Sequence, residues 1–168
     1  MKKIFLTLGL LFCITSFAQT SLPEFVIDWE RSKTHSISIL EMMPEEKMNV
    51  KASPDIRSFA EEFTHIIGST YFMMGISLSV ESPQIDLKNV TTKSQIIEEI
   101  SKCYDFVIAS LKNYDEKNNS DMIELFGNKL TKSRAMYKTY EHQAHHKSKS
   151  LVAQRVAGIK PPDYMLFD

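Results

Sequence analysis

Glycine and cysteine are scarce in this sequence, and neither sign of charge dominates it. The five glycines are never gathered into a loop that could wrap backbone amides around a phosphate, which excludes the usual nucleotide-binding designs. A formal charge of -1, from 20 basic and 21 acidic side chains, leaves no surplus of cations to neutralise phosphates. A general nucleic-acid binder is excluded on that ground. Of the 2 cysteines, Cys13 lies in an apolar leader, and Cys103 sits in the run "QIIEEISKCYDFVIASLKNY". There it reads as a small buried hydrophobe rather than a nucleophile. Segments with the two-residue alternation of a half-buried strand are missing too.

What remains is a chain of 168 residues, 43% hydrophobic and 24% charged, the size and balance of one globular domain. Its first residues differ from the rest. "MKK" is a basic leader, "IFLTLGLLFCITSF" is apolar throughout, and Ser16 and Ala18 place small residues before Gln19. That layout is a signal peptide over residues 1–18, followed by a mature domain over 19–168. The apolar run is shorter than the ~20 residues a membrane-spanning helix needs. A lipid anchor on Cys13 would want a small residue where the bulky Phe12 stands. The expectation is therefore export, to the periplasm or the extracellular space, with no membrane span once the leader is removed. Loss of Lys2 and Lys3 would leave 18 basic against 21 acidic side chains and a single cysteine, so no intrachain disulfide is expected.

Four helices are expected beyond the leader. The first runs from about Pro23 to Met42 and carries Phe25, Ile27, Trp29, Ile37, Ile39 and Leu40. The second is expected to open with Ser53 as cap and Pro54 as first helical residue, with Ile56, Phe59, Phe63, Ile67 and Met74 at helical spacing. A third starts where Thr92 and Gln95 form the S/T-x-x-E/Q pattern of a capping box. After a short amphipathic piece, "MIELFGNKL", the fourth runs from about Thr131 to Ala157, stopped by Gly158 and the Pro161–Pro162 pair. Amphipathic helices joined by modest loops give an all-α, four-helix bundle, a fold that builds metal and ligand sites from side chains on facing helices. Bundles of this size often pair, so a homodimer is an open expectation. The apolar tail "DYMLFD" is expected to fold back over the bundle, with a dimer contact as its other use.

The segment "YEHQAHHKSKS" holds three of the five histidines. His142 and His146, four apart, share a helix face and can grip one ion. His142 and His145, three apart, do so less well, and the adjacent His145 and His146 diverge. A pair alone binds weakly, and a third ligand from another element makes a site. His65, midway along the second helix, is the best candidate. Three neutral imidazoles with an open position suit zinc or a similar divalent ion and leave room for water, a thiol or a small-molecule ligand. The alternative is a solvated histidine-rich face. Glu62, one turn before His65, and Glu141, beside His142, are candidates to orient an imidazole. His35 is expected to be a partly exposed polar residue outside the site.

Trp29, the stretch "MPEEKMNVKASPDIRSFAEEFTHI" and the stretch "HQAHHKSKSLVAQRVAGIKPP" together resemble the DinB-like (damage-inducible) four-helix-bundle superfamily across nearly the whole mature chain. The resemblance implies a divalent metal, zinc or nickel, held by His65, His142 and His146. It also implies, for some relatives, thiol-dependent transferase or isomerase chemistry. The chain departs from the pattern at Lys147, Ser148 and Lys149, where relatives often carry Arg-Gly-Gln after the last histidine. Export is a second departure, because thiol transfer belongs where cytoplasmic thiols are abundant. Two functions stand at this point: an exported metal-dependent hydrolase or thiol transferase, and a non-catalytic metal- or ligand-binding bundle whose lysines meet an anionic ligand or partner.

Overall fold

The computed structural model describes residues 21–167. The expected signal peptide lies outside the described residues. Four helices make up the body: α1 (Leu22–Met42), α2 (Phe59–Leu78), α3 (Lys93–Lys112) and α4 (Lys132–Val156). Each begins where a side chain takes up the amides that a helix start leaves without partners. Ser21, Ser58 and Thr92 cap α1, α2 and α3 in full capping boxes with Glu24, Glu61 and Gln95. Thr131 caps α4 by accepting from the Arg134 amide. At the far end of α4, Gly158 adopts φ 78°, its amide donates to the Arg155 carbonyl, and the Ile159 amide donates to that of Gln154. This is a Schellman closure of the kind expected at Gly158.

The helices pack in the spatial sequence α1, α3, α2, α4, with a lighter contact closing α1 onto α4. Trp29, Phe59, Phe63 and Tyr104 are fully buried at the centre with Ile39, Ile67, Met74 and Ile100. The Trp29 ring lies 5.4 Å from that of Tyr104 and 5.3 Å from that of Tyr140, which couples α1 to both α3 and α4. Burying each such side chain contributes about 1.5–3 kcal/mol. Cys103 is buried as expected, its thiol directed at the Ile67 carbonyl. Helix α2 is covered on two sides, by α3 and by α4. That coverage lets one helix carry both the core stripe and, on another face, His65.

The "MPEEK" turn after α1 is a structural corner. Lys47 donates to the Ala157 carbonyl at 2.9 Å, tying the end of α4 down. Glu45 accepts from the Lys93 amide at 3.0 Å, and the Lys93 ammonium donates to the Met43 carbonyl at 3.0 Å, fixing the start of α3.

Three sequence expectations need correction. Helix α2 starts at Phe59, not at Pro54. Ser58 has an acid three residues on to complete the reciprocal box, whereas Ser53 has Ile56 there, so the later cap satisfies two amides instead of one. The piece "MIELFGNKL" is not helical but a β-hairpin, β1 (Met122–Leu125) paired antiparallel with β2 (Asn128–Thr131). Its two-residue loop, Phe126 and Gly127, has φ of 51° and 76°, the doubly positive geometry that matches strand twist in tight hairpins. The tail folds back only in part. Pro161 is buried and Met165 half-buried, but Tyr164 and Phe167 stay exposed. Among the described residues no helix is long and apolar enough to cross a membrane.

Candidate metal centre

His65 projects from the middle of α2, and His142 and His146 project from successive turns of α4. The two helices are in contact, so the three rings meet. Ring centroids lie 4.3 Å apart for His65 and His146, 4.5 Å for His142 and His146, and 5.1 Å for His65 and His142. One nitrogen from each ring lies within 4.8 Å of the other two, a set that can hold a metal ion.

Two of the rings are held in a definite tautomer. The Glu62 carboxylate lies 2.5 Å from His146 Nδ1. A carboxylate accepts, so Nδ1 carries the proton and Nε2 keeps a free lone pair. Ser69 achieves the same for His142. Its hydroxyl donates to the His65 carbonyl at 2.6 Å, which leaves its oxygen to accept from His142 Nδ1 at 3.3 Å. Hydrogen-bonding the far nitrogen is the usual way a protein orients a histidine ligand.

The rings are also kept neutral. Burial lowers the His65 pKa to about 4, with help from the positive field of Arg57 and the neighbouring imidazoles. Burial likewise lowers His146 to about 4, with His142, Lys149, His145 and Arg57 adding to the effect. His142 is shifted down for the same leading reason. A neutral imidazole is the ligating form.

Glu62 is the most revealing neighbour. It is 1% exposed, it touches His146 with Oε2, and its Oε1 has no hydrogen-bond partner. A buried carboxylate without a paired cation is destabilised by several kcal/mol, so this one is placed for a positive charge on the far side of the imidazole. The chemistry of the donor set and the orphaned oxygen both fit a bound cation.

The structure brings the expected His65, His142 and His146 together, and it sets Glu62 against His146 rather than against the His65 of its own helix. Glu141 does not orient His142. It is exposed and paired with Lys138 at 2.6 Å. His145 is exposed and outside the cluster. His35, expected to be partly exposed, is 4% exposed, because the tail lies against α1 there and Tyr164 meets its ring at 6.0 Å. Ser69 and Arg57 were not singled out. Ser69 was detectable, since it lies four residues after His65 and so on the same face.

Beside His142 a cavity of about 470 Å³ opens between α4 and the hairpin. Met73, Leu125, Phe126 and Leu130 make its walls apolar, and its polar edge comes from His142 and His145 together with Asn128, Lys138 and Glu141. The hairpin thus shapes the space next to the histidines.

A bundle of four capped helices with a three-histidine cluster between two of them defines the class: an all-α protein with a site that can hold a metal ion. The DinB superfamily model matches residues 27–148, most of the chain, and the protein belongs to that superfamily. The fold is similar to that of a DinB-like protein from Bacillus cereus, with TM-score 0.74 at 17% identity, covering 84% of this chain and 96% of the other. It is also similar to a DinB-like protein from Bacillus subtilis, with TM-score 0.68 at 18% identity and the same coverage. No curated protein matches this sequence.

Proposed function

We propose that His65, His142 and His146 bind one divalent cation, zinc or nickel, and that the protein is an exported metal-dependent hydrolase or thiol transferase. The observation that carries the reading is the convergence of three neutral nitrogen donors with a buried, half-satisfied carboxylate behind one of them. An all-imidazole set suits zinc and nickel over calcium or magnesium, which prefer oxygen. His65, His142 and His146 would hold such a cation, and its chemistry would be to make a water or a thiol more acidic, and so more nucleophilic, near neutral pH.

The chain's own residues do the positioning. Glu62 and Ser69 hold His146 and His142 with Nε2 free, and Glu62 balances charge from within the core. The apolar cavity under the hairpin would take the body of a small substrate, with Leu125 and Met73 excluding water from its inner side. The reading of export rests on the leader alone, a basic start, an apolar run and small residues at Ser16 and Ala18.

Elemental analysis of tag-free protein tests the reading. About one zinc or nickel per wild-type chain and less than about a tenth in His65→Ala is the expected result, on the basis that a site loses most of its affinity with one of three ligands. Equal metal content in the two proteins would refute the site. Metal-loaded protein inactive on both ester and thiol-conjugation substrates would reduce the proposal to metal binding alone.

A further inference from the structure

Lys147 follows His146 in sequence but leaves α4 on another side, toward α1. Its ammonium donates to Ser32 Oγ at 2.6 Å. Ser32 donates in turn to Gln143 Oε1 at 3.0 Å, and that oxygen also accepts from Tyr104 Oη at 3.1 Å. Among the described residues no carboxylate lies within ion-pair reach of Lys147. The nearby cation, Arg31, is already engaged by Asp28. Lys147 is thus a largely enclosed positive charge resting on a hydroxyl alone, a costly arrangement unless something negative joins it.

The surroundings are built around that charge. A cavity of about 360 Å³ lies between α1, α4 and the tail, and among the described residues no aspartate or glutamate lines it. Two further residues in its lining, His35 and Gln143, are 4% and 1% exposed, and each has a buried Nε2 without a partner. Ser148 adds a hydroxyl, although it also donates to the Ala144 carbonyl. The opposite part of the lining is apolar or aromatic, from Leu151, Tyr164 and Met165. Tyr164 is 74% exposed, so its ring is free to cover a bound molecule. The size is that of a small organic ligand rather than of a bare ion.

We propose that this α1–α4 cavity is a second ligand site, for a small organic anion whose carboxylate or phosphate pairs with Lys147 and whose apolar body lies against Leu151 and Tyr164. The site is separate from the histidine cluster and does not depend on the metal.

Calorimetric titration of the full chain with benzoate, phenyl phosphate and inorganic phosphate, and with benzamide as the uncharged control, tests the site. Saturation at one anion per chain is expected, with benzamide at least tenfold weaker. Binding by benzoate assigns a carboxylate head, and binding by phenyl phosphate and inorganic phosphate assigns a phosphate head. Lys147→Met should weaken the anion at least tenfold and Lys147→Arg should largely restore it. Tyr164→Ala, in the exposed tail, should weaken it a few-fold and keeps the test open if Lys147→Met does not fold. His65→Ala should leave the affinity unchanged. Silence from all three anions, equal binding of benzamide, full affinity in both Lys147→Met and Tyr164→Ala, or loss in His65→Ala would each overturn the proposal, the last by placing the ligand on the histidines.

Discussion

Two faces of α4 separated by a single residue step carry opposite chemistry. Toward α2, His142 and His146 present lone pairs, and the carboxylate and hydroxyl behind them reinforce an appetite for a cation. Toward α1, Gln143 and Lys147 present N–H groups and a positive charge that, among the described residues, no carboxylate meets. A step of one residue turns a helix by about 100°, so neighbours in sequence face different partners and can be tuned independently. The difference shows why the "HQAHHKSK" run is so polar for a helix packed into a bundle. It serves two lined spaces rather than one solvated surface.

Breaking the cation face should have the largest effect. Beyond the loss of metal expected in His65→Ala, Glu62→Gln should lower metal affinity by about 10–100-fold, the usual cost of disturbing the group behind a histidine ligand. In metal-free protein the same substitution removes an uncompensated buried charge, so its melting temperature should rise or stay level rather than fall. Competition titration with a chelator and thermal melts of both forms would check this reversal of sign. A fall in both forms would mean that Glu62 is only a packing residue.

The metal-free protein should also respond to acid in a defined window. The unfolded histidines take up protons near pH 6.5, whereas folded His65 and His146 resist until about 4. Between those values the unfolded chain binds more protons, so the stability these groups contribute is present above pH 6.5 and is lost as the pH falls toward 4. Melting temperature should drop across that interval, and His65→Ala should flatten the slope. An unchanged slope would detach the cluster from acid sensitivity.

Smaller effects sharpen the contrast between supported and unsupported neighbours. Ser69→Ala frees one ring and should weaken metal binding by no more than about tenfold, in keeping with a single neutral hydrogen bond. Glu141→Gln, which breaks an ion pair with the exposed Lys138, should change neither metal content nor melting temperature, since such surface pairs contribute about 0–1 kcal/mol. An effect of Glu141→Gln as large as that of Glu62→Gln would reverse the roles given to the two carboxylates.

Much of this is legible in the sequence alone. The capping residues Thr92 and Gln95, the stop at Gly158, and the pairing of His142 with His146 are local facts. They depend on neighbours three or four residues away, and helical periodicity brings those together wherever the helix lies. The misread pieces fail for a related reason. Ser53 and Ser58 are both plausible caps, and only the reciprocal bond from Glu61 separates them. The hairpin has strands of four residues and a phenylalanine in its loop at positive φ, a conformation bulky residues seldom adopt, so turn chemistry gave little warning.

By itself the sequence determined the number of helices, most of their ends, and which histidines could share a face. Each of these follows from spacing along one element. Only the tertiary structure decided that α2 lies against α4, that Glu62 reaches across to His146 rather than up its own helix to His65, and that Lys147 turns away from both. Those outcomes depend on how the helices place side chains far apart in sequence, 73 residues in the case of Ser69 and His142. Periodicity does not encode that placement. It is set by how the buried side chains of all four helices fill one core.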